Sequence, residues 1–73
     1  MNSSLKDRFI KETQEIGVPK IISVAVKLPS GAIEVITNTQ DTSTKADYYV
    51  DTYDNEFRLI HNKDVQIVGY MIV

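Results

Sequence analysis

The residues of this chain with the clearest chemical potential are three aspartates in its second half. Asp47, Asp51 and Asp54 recur at spacings of four and three residues, which places them on one face of a helix. Carboxylates in such a row bind a divalent cation, imitate a nucleic-acid backbone, or form the solvated face of an amphipathic helix. Their spacing does not match a calcium loop of the EF-hand type. We expect the solvated face, with backbone imitation as the second interpretation and metal as the third.

The single histidine, His61, has no companion that would make it a catalytic base. A histidine that activates a nucleophile needs a serine or cysteine within hydrogen-bond reach, and the chain has no cysteine and no serine motif. Because His61 follows a predicted helix, we expect it to cap the last carbonyl groups of that helix. We therefore predict that the protein is not an enzyme and uses no cofactor and no metal.

The charge of the chain argues against direct binding to nucleic acid. Its formal net charge is -2 and its 8 basic residues are scattered, whereas such binding needs clustered Lys and Arg. Tyr48, which points away from the predicted core, is a candidate contact residue, but no basic residues surround the tyrosines. The longest apolar run, residues 67–73, is too short to cross a bilayer, so we predict a soluble, cytoplasmic protein without membrane contact.

Hydrophobic periodicity predicts the elements that position these residues. Residues 4–16 form a helix that Ser4 caps and Gly17 ends. Residues 20–38 form a hairpin of β-branched strands. Residues 65–73 form a strand that is apolar on both faces.

A second helix is predicted for residues 43–60, because its apolar residues keep helical spacing throughout. The alternative is a turn at Asp54-Asn55, after which residues 57–60 form a short fourth strand. The continuous periodicity favours the helix.

The register of the hairpin decides which side chains share a face. With Leu28 opposite Ile33, the apolar side chains of both strands lie on one side. A three-residue loop with a bulge at Pro29-Ser30-Gly31 shifts the pairing by one residue and brings Glu34 to the side of Val26. Since a one-residue slip moves every side chain to the other face, we expect burial to decide and predict the Leu28–Ile33 register.

Together the elements predict a single α+β domain over residues 1–73. It is a two-layer αββαβ fold, in which both helices cover one face of a three-stranded antiparallel sheet of order 2-1-3. The other face then exposes an apolar patch, unless the first helix crosses over to cover it. Either face of the last strand can be the buried one. We predict an interface on the uncovered face, formed by Ala25, Ile36, Val68, Tyr70 and Ile72.

Two segments of the sequence resemble a known group of proteins. They are Leu28 to Asn38 and Tyr53 to Leu59, the latter followed by Val65-Gln66-Ile67-Val68. Through them, residues 28–73 resemble short uncharacterised proteins encoded by phages and prophages of Gram-positive bacteria. The resemblance implies a small accessory protein that binds host or phage components, and it assigns no functional residue.

Two functions follow as hypotheses. The first is a non-enzymatic interaction protein, homodimeric or bound to another protein, that works through the uncovered sheet face. The second is an acidic decoy that occupies a nucleic-acid-binding protein through Asp47, Asp51 and Asp54. Binding by the decoy weakens steeply with ionic strength, whereas binding through an apolar face does not.

Overall fold

The computed structural model describes residues 4–73, so the first three residues of the predicted domain lie outside it. Four strands form one antiparallel sheet of order β2-β1-β4-β3. The predicted α+β class is confirmed. The predicted sheet of three strands is wrong, because the structure has a fourth strand at one edge. In chain order the elements are α1 (Leu5–Ile16), β1 (Ile22–Lys27), β2 (Ile33–Asn38), α2 (Thr42–Thr52), β3 (Arg58–Leu59) and β4 (Asn62–Ile72).

Helix α1 begins and ends at its predicted capping residues. The Ser4 hydroxyl accepts a hydrogen bond from the N–H of Asp7 at 3.1 Å. At the other end the N–H of Gly17 donates to the carbonyl of Thr13 at 3.0 Å, with Gly17 at a φ of 82°. No helix within residues 4–73 is long and apolar enough to span a membrane.

Helix α2 is shorter than the predicted helix over residues 43–60, because the chain turns at Asp54. The Oδ1 atom of Asp54 accepts hydrogen bonds from the N–H groups of Glu56 and Arg58, each at 2.9 Å. An aspartate that bonds the backbone just ahead of it favours a turn over a helix. Strand β3 follows this turn, so the fourth-strand alternative is the correct one.

The β1–β2 hairpin has Lys27 opposite Ile33, so the predicted Leu28–Ile33 register is wrong by one residue. The turn explains the difference. The N–H of Gly31 donates to the carbonyl of Leu28, and the N–H of Leu28 donates to the carbonyl of Ala32, both at 2.8 Å. With Gly31 at a φ of 90°, this is a three-residue loop with glycine in the left-handed position.

Both helices pack on the same side of the sheet. That side carries Ile22, Val24 and Val26 of β1, all buried. Helix α1 contributes Phe9, and α2 reaches β2 through Tyr49, whose hydroxyl accepts a hydrogen bond from Asn38 Nδ2 at 3.0 Å.

Phe9 is the centre of the aromatic core and is completely buried. Its ring meets three others edge to face. The centroid distances are 6.2 Å to Tyr49, 5.6 Å to Phe57 and 5.4 Å to Tyr70. Each such pair adds about 1 kcal/mol beyond the burial of area. One ring therefore joins α1 to α2, to the turn before β3 and to β4.

Candidate interaction surface

Residues 4–73 leave the side of the sheet opposite the helices uncovered. On it Ala25 of β1 lies between Val35 of β2 and Gly69 of β4. The ladder extends one pair beyond β1 and β4, because the N–H of Val73 donates to the carbonyl of Ile21 at 3.0 Å. The apolar residues of this side are termed the open-face patch: Ile21, Ala25, Ile33, Val35, Met71 and Val73.

Four members of the open-face patch are more than half exposed. The exposed fraction is 65% for Val35, 55% for Ile33, 54% for Val73 and 51% for Met71. Where β1, β2 and β4 lie side by side, Lys27 is the only charged residue of the described chain on this side. The hydroxyl groups of Ser23 and Thr37, 3.0 Å apart, are the polar pair among these apolar side chains. Large exposed apolar patches often take part in protein interfaces.

The centre of the open-face patch is a shallow depression of about 220 Å³. It forms because two small residues are neighbours across the strands. A Cβ atom added to Gly69 would lie 3.9 Å from the Cβ of Ala25. The larger side chains of Val35 and Met71 line the same depression. The surface therefore carries a hollow and protruding apolar groups side by side.

The structure places only one of the five predicted interface residues, Ala25, within the open-face patch. Val68 is the extra residue of a bulge in β4 and is exposed. For the other three the predicted placement on the uncovered side is wrong. They lie on the helix-covered side: Ile36 and Tyr70 opposite Val24, and Ile72 opposite Ile22.

Ile33 and Val35 were missed because the predicted hairpin register was wrong by one residue. Met71 was missed for another reason: either face of the last strand could be the buried one, and the predicted interface took Val68, Tyr70 and Ile72. The three-residue loop Pro29-Ser30-Gly31 determines the observed pairing. A prediction based on this loop places Ile33 and Val35 on the open side. Met71 then follows from its position opposite Ser23 in the adjacent strand pair.

The three aspartates do not share a helix face. Asp47 and Asp51 are exposed on α2, but Asp54 lies beyond its end. The Nζ atom of Lys63 donates to Asp54 Oδ2 at 2.5 Å. This bond, followed by those from the backbone N–H groups of Arg58 and Glu56, lowers the pKa of Asp54 to about 2. The Asp54 carboxylate is thus engaged within the chain.

Residues 4–73 bring no three His, Asp or Glu side chains into a group that could hold a metal ion. His61 is exposed in the turn between β3 and β4, so its predicted position at a helix end is wrong. Tyr48 is half exposed on α2, with the Nζ atom of Lys45 5.8 Å from its ring centre.

Comparisons of the chain with protein-family models, with curated proteins and with solved structures gave no match. Among the predicted and observed features of residues 4–73, the open-face patch has the most exposed apolar side chains on one side of the sheet.

Proposed function

We propose that this protein is a small, non-enzymatic interaction protein that associates with a second copy of itself through the open-face patch. The supporting observation is the exposure of Val35, Ile33 and Met71 on a single side of the sheet, which neither helix covers. Burying such side chains against a partner contributes about 25 cal/mol for each Å² of apolar surface removed from water.

A second copy is the proposed partner because the patch carries both a hollow and protruding apolar side chains that can enter it. In a two-fold arrangement a residue on one copy contacts a different residue on its partner, and the same contact occurs twice. Here Met71 or Val35 of each copy enters the hollow above Ala25 and Gly69 of the other. Two sheets stacked in this way pack about 10 Å apart with interdigitated side chains.

The broad face of the molecule as a whole is large enough to hold an interface of ordinary size. A standard interface buries about 800 Å² on each partner. The molecule is flat, with extents of 33 × 31 × 18 Å, and its broad face offers an area of about this size. Lys27 stands at the hairpin end of this face, so a stacked partner can leave it at the hydrated rim.

The proposal includes a biological role, that of a small accessory protein of the phage type. The resemblance of residues 28–73 to phage and prophage proteins supports an accessory role of that type. The acidic-decoy hypothesis has less support, because Asp54 bonds Lys63 and the backbone, which leaves Asp47 and Asp51 as the exposed pair on α2.

The proposal is tested by Met71→Lys, with Ile60→Lys as the matched control. Met71 is 51% exposed within the open-face patch, and Ile60 is 48% exposed in the turn after β3. Both variants place a lysine at a half-exposed apolar position. Sedimentation equilibrium over a concentration series gives the dissociation constant, and circular dichroism verifies folding.

We expect the wild type to self-associate and Met71→Lys to raise the dissociation constant at least about tenfold, which is about 1.4 kcal/mol. Ile60→Lys should retain the wild-type value. A wild type that stays monomeric at every concentration would contradict the proposal. So would equal association of the wild type and a folded Met71→Lys variant.

A further inference from the structure

The two edges of the sheet differ in how they are protected. At one edge β3 has only two residues and a shifted register, and the segment after α2 covers it through the Tyr53–Leu59 bridge. The N–H of Ile60 also donates to the carbonyl of Thr52 at 3.0 Å. At the other edge β2 has six residues in an unbroken register, and all but Asn38 are exposed.

Strand β2 has only one of the devices that usually protect an open edge, a charged residue on the helix-covered side. It contains no proline, no lysine and no bulge, and its only charged residue is Glu34. Glu34 lies opposite Val26, on the helix-covered side. Within residues 4–73 no strand pairs with the outer edge of β2, whose apolar side chains are Ile33, Val35 and Ile36.

The hairpin bonds define which peptide groups are free. Leu28 and Ala32 form a hydrogen-bonded pair across the turn, at 2.8 Å. Such pairs alternate along an antiparallel ladder, so the N–H and C=O groups of Glu34, Ile36 and Asn38 bond to β1. The peptide groups of three β2 residues consequently point outward: Ile33, Val35 and Thr37.

We infer that β2 pairs antiparallel with β2 of a second copy, with Val35 opposite Val35 on the two-fold axis. In this register Ile33 of each copy lies opposite Thr37 of the other, and the outward groups form about six inter-chain hydrogen bonds. Glu34 of each copy lies opposite Ile36, so no like charges meet. Two four-stranded sheets thereby become one continuous sheet of eight strands.

The neighbouring registers are less favourable for reasons visible in β2. Outward-facing residues must pair with each other, so only even shifts are allowed. A two-fold axis at Glu34 would put two carboxylates directly opposite each other, which destabilises a strand pair. An axis at Ile36 would form only about four hydrogen bonds within β2.

This contact uses a different surface from the open-face patch, and it stands without the proposed function. Ile36 and Glu34 project on the helix-covered side, whereas Met71 projects on the open side. If both contacts form, two edge-paired dimers stack into an assembly of four copies. Variants at Ile36 and at Met71 therefore separate the two contacts.

The experiment changes the charge at Ile36, which is 40% exposed. The variants are Ile36→Glu, Ile36→Lys, the neutral control Ile36→Thr, and the double variant Glu34→Lys/Ile36→Glu. All four lose the isoleucine side chain, so differences between them report charge. Sedimentation equilibrium at low and high salt gives the association constant, and circular dichroism verifies folding.

We expect Ile36→Glu to weaken association at least about tenfold relative to Ile36→Thr, because each introduced carboxylate would face Glu34 of the second copy. The defect should shrink at high salt. Ile36→Lys should associate at least as well as Ile36→Thr, and the double variant should recover to within about threefold of it.

Equal association of all folded Ile36 variants would overturn the inference, as would a monomeric wild type. Weakening by both Ile36→Glu and Ile36→Lys would overturn the Val35-centred register. Sensitivity to Ile36→Glu with none to Met71→Lys would support edge pairing and reject the open-face association. The opposite pattern would reject edge pairing alone.

Discussion

The side-chain Nζ atom of Lys6 lies 2.5 Å from the backbone carbonyl oxygen of Tyr53 and 2.7 Å from that of Val50. Lys6 is buried on α1, and its two acceptors lie at the C-terminal end of α2. The last carbonyl groups of a helix have no partner within the helix. The ammonium group of Lys6 on α1 thus donates hydrogen bonds to carbonyl groups at the end of α2.

The first prediction concerns this link. Lys6→Met should lower the free energy of unfolding by about 2 kcal/mol, because two carbonyl groups lose their donor in a buried site. Urea denaturation followed by circular dichroism measures the change. Lys11→Met, at an exposed position of the same helix, should stay within about 0.5 kcal/mol of the wild type. Equal effects of the two variants would contradict the structural role of Lys6.

The second prediction concerns the hairpin loop. Gly31→Ala should cost about 1–2 kcal/mol, because an L side chain is strained in the left-handed region. No atom lies within 4 Å of the position that its Cβ would take, so the cost comes from the backbone alone. Gly31→Asn is the control at the same position, because asparagine tolerates the left-handed region better than alanine does. Thermal denaturation should show a lower melting temperature for Gly31→Ala than for Gly31→Asn.

The sequence predicts an element correctly where capping residues or strand-forming residues within that element define it. Ser4 and Gly17 define α1, and the β-branched strands define the hairpin. The second helix was overextended because Tyr53 and Phe57 are both buried and lie four residues apart. That spacing imitates a helical stripe although a turn separates the two residues. The side chain of Asp54 ends the helical conformation by bonding to the backbone. The spacing of apolar residues contains no information about this polar interaction.

The predicted interaction surface contains the wrong β2 residue because the predicted hairpin register is wrong. Burial was expected to set the hairpin register, but the helices leave all of β2 except Asn38 exposed. Burial therefore had little power to select between the two registers, and the loop around Gly31 selected one. Because side chains alternate along a strand, this one-residue difference moved Ile36 to the helix side and Val35 to the open side.

The third prediction concerns backbone strain at Phe57, a buried aromatic residue with a φ of 61°. Glycine adopts this conformation without strain, whereas alanine does not. Phe57→Gly should therefore be at least as stable as Phe57→Ala. At Phe9, inside α1, glycine should be about 1 kcal/mol less stable than alanine.

Both pairs of variants lose a core ring, so unfolding is measured in an osmolyte that favours the folded state. The comparison is the difference between glycine and alanine at each site, which removes the cost of the lost ring. The same difference at Phe57 and at Phe9 would contradict strain at Phe57.

The last prediction concerns acid stability and the carboxylate of Asp54. Its hydrogen bond with Lys63, followed by those from the backbone, lowers its pKa from 3.8 to about 2. Because the pKa is lower in the folded than in the unfolded chain, the ionised carboxylate stabilises the fold above pH about 4. That contribution is lost as the pH falls towards 2.

Asp54→Asn should therefore reduce the dependence of the unfolding free energy on pH between about 4 and 2. Asp47→Asn, on the exposed face of α2, should keep the wild-type dependence. Carbon NMR of the Asp54 carboxyl group tests the cause directly: its midpoint should lie near 2 in the wild type and rise in Lys63→Met. Lys63 makes the largest contribution to the low pKa of Asp54. An unchanged midpoint in Lys63→Met would therefore contradict that role and assign the low pKa to the backbone N–H groups.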